Sequence, residues 1–181
     1  MSRPHTTPRQ KAREIAFQFI YKFDQEIGAS QVFDEFTKHA EHFECPQDSF
    51  DFAARLAETT IKQLDKIDEM IKKYAQNWRL DRINAVDKSI LRMGVAELLF
   101  FKDVPASVTL NEVIELSKDF GEAETPAFIN GILDPISREP LALAGKVSST
   151  SLHLPIHSAT NHLQTKLNFH FACLFSAFFI L

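Results

Sequence analysis

The chain has 181 residues, of which 45% are hydrophobic and 24% are charged, and its formal net charge is −4. This composition is typical of a soluble globular domain with a real core, and the net charge by itself does not point to a nucleic-acid partner. The distribution of charge is more informative: residues 1–13 hold four bases and no acid, while residues 14–139 hold every acid of the chain. A basic arm on an acidic body predicts a local electrostatic contact.

The first predicted helix begins with Thr7 at the N-cap and Pro8 at the first helical position, and it ends at Gly28. Its apolar residues recur at three- and four-residue steps, which is typical of one buried helix face. This face consists of Ala12, Ile15, Ala16, Phe19, Ile20, Phe23 and Ile27.

Two further helices and a short element are predicted before residue 84. The second helix begins at Ser30 and stops before Pro46. The third begins near Asp48 and continues as one long segment towards Trp78, and a short piece follows at residues 80–83. The residues of the second helix that we expect to face inward are Phe33, Phe36, Ala40 and Phe43.

The remaining helices lie between residues 84 and 139. The segment "NAVDKSILRMGVAELLFF" predicts a fourth helix that Pro105 terminates, and "ASVTLNEVIELSKDFG" predicts a fifth that ends at Gly121. Thr125 and Pro126 repeat the N-cap and first-position signature of a last helix. With only five glycines and no alternating apolar runs, the pattern predicts an all-α protein of about six to seven helices.

The character of the chain changes after residue 139. Residues 140–181 contain no acid and four of the seven histidines, and they show neither helix nor strand periodicity. We therefore predict two regions, a helical domain at 1–139 and a poorly ordered tail at 140–181. The alternative is a hydrophobic hook, in which the run "FHFACLFSAFFIL" docks on a partner or a membrane surface.

The sequence favours a cytoplasmic protein without a membrane span. Its N-terminus lacks the apolar core of a signal peptide, and the run at 169–181 is shorter than the about 20 residues that a spanning helix needs. Cys45 and Cys173 match no metal or redox spacing, so we interpret them as reduced thiols.

Motifs that would indicate catalysis are missing. The sequence has no glycine-rich phosphate loop, no nucleophile elbow and no His/Cys cluster at metal spacing. His39 and His42 could share a helix face, but a histidine pair without a third ligand is more often a surface feature. We therefore predict no enzymatic activity, no small-molecule substrate, no metal and no cofactor.

Cations occupy the start of the first helix, where the helix dipole favours anions. Arg9, Lys11 and Arg13 precede any acid, and Arg13, Phe17 and Tyr21 follow one another at four-residue spacing away from the apolar face. One interpretation is a contact strip, in which arginine engages phosphate and the aromatics stack on unpaired bases or on a partner protein. The alternative for Phe17 is a second packing face inside a helical bundle.

Three ordered blocks, "PRQKAREIAFQFIYKFD", "LDKIDEMIKKYAQNWRLDRINAVDKSILRMGVAELLF" and "DVPASVTLNEVIELSKDFGEAETPAFINGILD", resemble the bacterial transcription antitermination factor NusB family over about residues 8–136. The resemblance implies two small helical bundles set across one another. It also implies pairing with the ribosomal protein NusE and binding of single-stranded boxA RNA in nascent ribosomal RNA transcripts. RNA polymerase and other Nus factors would then be indirect partners in resisting termination.

The resemblance also implies roles for individual residues. Arg9, Lys11 and Arg13 match the family's arginine-rich RNA-binding motif, while Phe17 is a candidate RNA contact from its helical spacing alone. Tyr21 and Asp87 match positions that face NusE. Glu124 matches an acidic loop position near both RNA and NusE.

The basic arm is thinner here than a run of consecutive arginines. Three or four phosphate contacts predict a slope of log affinity against log salt of only about −2 to −3 for a single strand. We therefore expect weak RNA binding by the chain alone and tighter binding with NusE. Two other classes stay open: a protein-interaction adaptor that does not touch RNA, and a fragment of a ribosomal RNA methyltransferase, for which the chain is too short.

Overall fold

Seven α-helices make up most of the described chain, and no strand occurs among the described residues. The computed structural model describes residues 7–26, 32–43, 45–75 and 80–139. The helices are α1 (Pro8–Glu26), α2 (Val32–His42), α3 (Gln47–Lys62), α4 (Leu64–Tyr74), α5 (Ala85–Phe100), α6 (Ala106–Phe120) and α7 (Thr125–Ser137). A 3₁₀ turn, Leu80–Arg82, precedes α5. The prediction of an all-α protein is confirmed.

Some predicted features lie outside the described residues. These are Gly28 as the end of the first helix, Ser30 as the start of the second, Trp78 near the end of the third, and the proposed tail at 140–181. Tail order and the hook alternative therefore stay predictions.

Helix α5 is the centre of the fold. Nearly every residue from Asp87 to Leu99 is buried, although the segment includes the charged residues Arg92 and Glu97. In one group, helices α1, α2 and α3 contact one another. In the other, α7 contacts both α4 and α6. Helix α5 packs against both groups, through α1 and α3 on one side and α4, α6 and α7 on the other. Two groups of helices therefore share one buried helix, which is consistent with the expected pair of small bundles.

Gly94 allows α5 to approach the neighbouring helices closely. A Cβ at this position would lie 2.9 Å from Cδ1 of Leu133 and 3.3 Å from Cγ1 of Val113. Both neighbours are fully buried, so neither can move away freely. The lack of a side chain at Gly94 thus sets the spacing of α5 against α6 and α7.

The prediction of one long third helix was wrong. The segment is broken at Gln63, whose φ of −111° and ψ of 18° end α3 and begin α4. The N–H of Gln63 still donates to the carbonyl of Thr59 at 3.1 Å, and its carbonyl accepts from the N–H of Ile67 at 3.0 Å. These two hydrogen bonds hold the junction on either side of Gln63, and the bend occurs without proline or glycine, so no residue type signals it.

One aromatic residue in α2 and one directly after it are not in the core. We expected Phe33 and Phe43 to face inward, but 54% and 40% of their surfaces are exposed. Phe36 and Ala40 are buried as predicted. The inward face of α2 is therefore narrower than its apolar pattern indicates. The rings of Phe33 and Phe43 remain accessible to a partner.

Candidate nucleic-acid and protein interface

The tip of α1 is capped by its own side chains and open to solvent. The Thr7 hydroxyl accepts from the N–H of Gln10 at 3.2 Å, and Oε1 of Gln10 accepts from the N–H of Thr7 at 2.9 Å. This reciprocal pair is a capping box that fixes the helix start as predicted. Thr7, Pro8 and Arg9 are all exposed. The tip can therefore meet a ligand without rearrangement of the fold.

Arg9 lies over an aromatic ring at this tip. Its guanidinium carbon lies 4.1 Å from the centroid of the Phe52 ring, while the side chain stays exposed. Stacking on a ring restricts an arginine without using its N–H donors, which leaves them free for an anion. The position of Arg9 is therefore compatible with its predicted role as an RNA contact.

Lys11 is only half exposed. Its Nζ donates to Oε1 of Glu14 at 3.0 Å across one helical turn. An i,i+3 ion pair that is partly open to solvent is weak, so a phosphate can compete for the ammonium group. Lys11 thus contributes positive charge near the tip, and the carboxylate of Glu14 partly neutralises that charge.

Arg13 does not belong to the exposed strip, which corrects the expectation that it contacts phosphate. Only 2% of its surface is exposed. Its Nε and Nη2 donate to the two carboxylate oxygens of Glu97 in α5 at 2.9 and 2.6 Å, and Thr109 in α6 donates to the same carboxylate at 2.9 Å. The nearby Glu112 carboxylate lies 3.8 Å away. Arg13 therefore joins α1 to α5 and α6 through a buried ion pair.

Phe17 is also buried in the core. The alternative that it belongs to a second packing face of α1 is therefore correct. Only 4% of its surface is exposed, and its ring centroid lies 5.0 Å from that of Phe120 at the end of α6. A ring in this position cannot stack on an RNA base, so its predicted RNA contact is wrong. Tyr21, whose centroid is 6.4 Å from that of Phe17, is 39% exposed and continues the aromatic column to the surface.

Tyr21 lines an open groove between α1, α2 and the ends of α5 and α6. The groove has a volume of about 610 Å³, and its aromatic wall includes Phe43 and Phe120, both partly exposed. Lys22, Glu35 and Lys38 lie along the same groove, and Nζ of Lys38 donates to Oε1 of Glu35 at 2.8 Å. An apolar surface of this kind with a charged rim is typical of a protein contact.

His39 lies in the wall of this groove with its Nε2 atom buried and without a hydrogen-bond partner among the described residues. Its ring packs 4.6 Å from the Phe43 ring and 5.4 Å from the Phe19 ring, measured between centroids. Burial lowers the pKa of His39, and the positive charges of Lys22 and His42 lower it further, against an opposing backbone hydrogen bond at Ile15.

The fold is therefore expected to lose stability on mild acidification. Because the pKa of His39 is below that of the unfolded chain, its contribution is complete above the unfolded value near 6.5 and is lost as the pH falls through the folded value. Urea unfolding at pH 7.5 and 5.5 measures this loss, and His39→Phe should reduce the difference between the two midpoints. An unchanged difference in that variant would contradict the assignment.

Asp87 and Glu124 lie together beside the groove, near the starts of α5 and α7. They line a cleft of about 260 Å³ with Asn84 and Thr125. Asp87 is mostly buried: its carboxylate accepts from Nδ2 of Asn84 at 2.8 Å and from the hydroxyl of Thr125 at 2.9 Å, which ties α5 to α7. Glu124 is exposed at the rim. Asp87 therefore has a structural role in addition to any partner contact, and Glu124 is the more accessible acid.

A second cleft, which no sequence pattern predicts, lies at the tip of α1. It has a volume of about 260 Å³ and is lined by Arg9, Asp48, Asp51, Phe52, Arg55 and Asp103. Arg55 and Asp103 are 48 positions apart and lie on different elements, so no spacing in the sequence connects them. The only local hint is an arginine three residues after a phenylalanine in α3.

The described residues thus form an all-α domain of the macromolecule-binding class, with a cationic helix tip, an aromatic groove and an acidic cleft at its surface. Among these residues, no helix is both long and apolar enough to cross a membrane. The chain belongs to the NusB family, whose family model matches residues 10–138.

Known relatives share most of their length with this chain. The transcription antitermination protein NusB of Thermodesulfovibrio yellowstonii is 38% identical over 141 residues, which cover 74% of this chain and 93% of that protein. The protein of the same name from Syntrophus aciditrophicus is 41% identical over 128 residues, which cover 71% of this chain and 78% of its own.

Solved structures agree with the fold. A structure of T. maritima NusB is 30% identical, covers 75% of this chain and 94% of its own, and gives a TM-score of 0.63. A chain from a crystal structure of the antitermination factors NusB and NusE in complex with dsRNA also matches, at 27% sequence identity and with a TM-score of 0.64. The match covers 72% of this chain and 96% of that chain.

Proposed function

We propose that this protein is a transcription antitermination factor that pairs with NusE and binds boxA RNA of nascent ribosomal RNA transcripts. The observation that carries the proposal is the exposed, capped and cationic tip of α1, found in a member of the NusB family. A helix start presents N–H groups and the positive end of the dipole, and Arg9 adds a stacked guanidinium. This combination is suited to the phosphates of a single strand.

Sequence choice would come from bases rather than from phosphates. Phosphate contacts position a strand, while unpaired bases are read through their edges and faces. Glu124 is exposed and can accept hydrogen bonds from base amino groups or from NusE side chains. RNA polymerase and the other Nus factors would be reached indirectly, through the bound RNA and NusE.

The partner surface would be the aromatic groove at Tyr21 together with the cleft that holds Asp87 and Glu124. The two surfaces are continuous along the chain, since Val86 lines the groove and Asp87 lines the cleft. In this role the protein would act in the cytoplasm by binding alone, without catalysis, a cofactor or a small-molecule substrate.

RNA binding by the isolated protein is expected to be weak. With Arg13 inside the fold, the tip offers Arg9 and Lys11 rather than three or four cations. Two phosphate contacts predict a slope of log affinity against log salt of about −1.4 for a single strand. Docking of NusE would add contact area and effective concentration, so the complex should bind boxA RNA much more tightly than the free chain.

Removing both cations of the tip should test this site. The double variant Arg9→Gln/Lys11→Gln is expected to bind boxA RNA about tenfold more weakly at low salt, with a salt slope reduced by about 1.4. Fluorescence anisotropy with and without NusE at two salt concentrations measures both quantities. A control of equal charge is Lys66→Gln/Lys72→Gln on the exposed face of α4.

Deletion of residues 1–13 is not suitable for this purpose, because Ala12 and Arg13 are buried. Equal RNA affinity with and without NusE would contradict the proposal. If the tip variant and the control bind RNA equally while NusE binding persists, the alternative of an adaptor that does not touch RNA is the better one.

A further inference from the structure

The cleft at the tip of α1 contains a second arginine beside Arg9. The guanidinium carbon of Arg55 lies 4.4 Å from the centroid of the Phe101 ring, and Arg9 covers the Phe52 ring at 4.1 Å. The two rings themselves meet edge to face, with their centroids 5.5 Å apart. Both arginines are exposed. A pair of rings in α3 and after α5 thus supports two guanidinium groups at one surface.

Asp103 already contacts this arginine pair. Nη2 of Arg55 donates to both carboxylate oxygens of Asp103, at 3.1 and 2.9 Å, and about half of each side chain is exposed. Partial burial acts to raise the pKa of Asp103, but the hydrogen bond from Arg55, a backbone hydrogen bond and the charges of Arg55 and Arg9 together outweigh it and hold this pKa below its usual value. Asp103 therefore stays ionised and presents oxygens to Arg55 much as a phosphate would.

We propose that Arg55 and Arg9 form one binding pair for the RNA phosphate backbone, and that Asp103 competes with that phosphate for the pair. An exposed ion pair is weak in water, so an incoming phosphate can displace the carboxylate. The further carboxylates of Asp48 and Asp51 line the same cleft and lower its potential. The competition gives a physical reason why RNA binding by the isolated chain would be weak. The inference rests on the proposed function.

Three variants of the full-length chain, bound to NusE, test the pair with single-stranded boxA RNA in anisotropy titrations. Asp103→Asn should raise RNA affinity about three- to tenfold at low salt, because one nearby negative charge is removed. Arg55→Gln should lower affinity by a similar factor and reduce the salt slope by about 0.7. In the double variant, the gain from D103N should shrink, because the arginine that it releases is absent.

A matched control exists at the C-terminal end of α7, which does not line the cleft. There Nη2 of Arg138 donates to both oxygens of Asp134 at 2.9 and 2.7 Å, and the pair is exposed. Asp134→Asn and Arg138→Gln change the net charge as the test variants do and should leave RNA affinity unchanged. Arg55→Lys should give an intermediate loss, since it keeps the charge but not the planar donors. Thermal unfolding of each variant checks the fold.

The outcomes separate the two proposals. If Arg9→Gln/Lys11→Gln weakens RNA binding but D103N and R55Q leave it unchanged, the inference fails and the proposed function stands. An equal gain from D103N and D134N would show a general effect of net charge and would also overturn the inference. Absence of RNA binding by the unmodified chain with NusE would overturn both.

Discussion

Replacement of Glu97 by Gln is expected to lower the free energy of unfolding by about 3–5 kcal/mol, because it leaves Arg13 buried without its counter-charge. Glu97 is fully buried and accepts hydrogen bonds from Arg13 at 2.9 and 2.6 Å and from Thr109 at 2.9 Å. Glu112 lies 3.8 Å from Arg13 but is partly exposed, so it replaces only part of the lost interaction. The expected change in melting temperature is about 10 °C or more.

Calorimetry and urea unfolding measure this loss, and Glu58→Gln is the matched control. Glu58 makes an exposed i,i+4 pair with Lys62, and its removal should cost no more than about 0.5 kcal/mol. The double variant Arg13→Met/Glu97→Leu should recover much of the stability, because apolar side chains of similar size remove both buried charges together. If Glu97→Gln and Glu58→Gln unfold at the same urea concentration, the buried pair does not stabilise the fold.

The Arg13–Glu97 pair shows which features of the fold are predictable from the sequence and which are not. Helix positions were predictable because apolar periodicity and capping residues act locally. Thr7 and Pro8 begin α1 as predicted, whereas α7 starts one residue early, with Glu124 and not Thr125 at the N-cap. The environment of Arg13 was not predictable, since its partner lies 84 positions away. A helical wheel treats a charged residue as solvent-facing unless its partner is known. The charged residues inside the apolar α5 segment were the available hint, because a buried charge requires a partner.

The candidate site was also only partly predictable, because local patterns can be recognised in the sequence and distant contacts cannot. Exposure at Arg9 and Tyr21 follows from the position of each residue on α1, which periodicity describes well. Phe17 was ambiguous because a helix inside a bundle can bury two faces, and its contact with Phe120 decides between them. The Arg55 and Asp103 cleft depends entirely on how α3 meets the segment after α5. Tertiary packing, rather than local pattern, creates this part of the surface.

Tyr21→Ala is expected to weaken NusE binding by about 30-fold or more, which corresponds to about 2 kcal/mol or more for an aromatic residue at the centre of an interface. Tyr21 is partly exposed and is supported from below by Phe17, so its ring is held in place before any partner arrives. A preorganised ring loses little side-chain entropy on binding, and it buries a large apolar area. Isothermal titration calorimetry with purified NusE measures the change.

Phe33→Ala is the matched control for Tyr21→Ala. Phe33 is more exposed than Tyr21, at 54% against 39%, but it does not line the groove. If exposure of an aromatic ring alone favoured NusE, the control would lose at least as much affinity. A loss confined to Tyr21→Ala would assign the interface to the groove between α1 and α2. Because Tyr21 is far along α1 from Arg9, the variant should keep its weak RNA binding in the absence of NusE, and should lose only the part of the RNA affinity that depends on NusE.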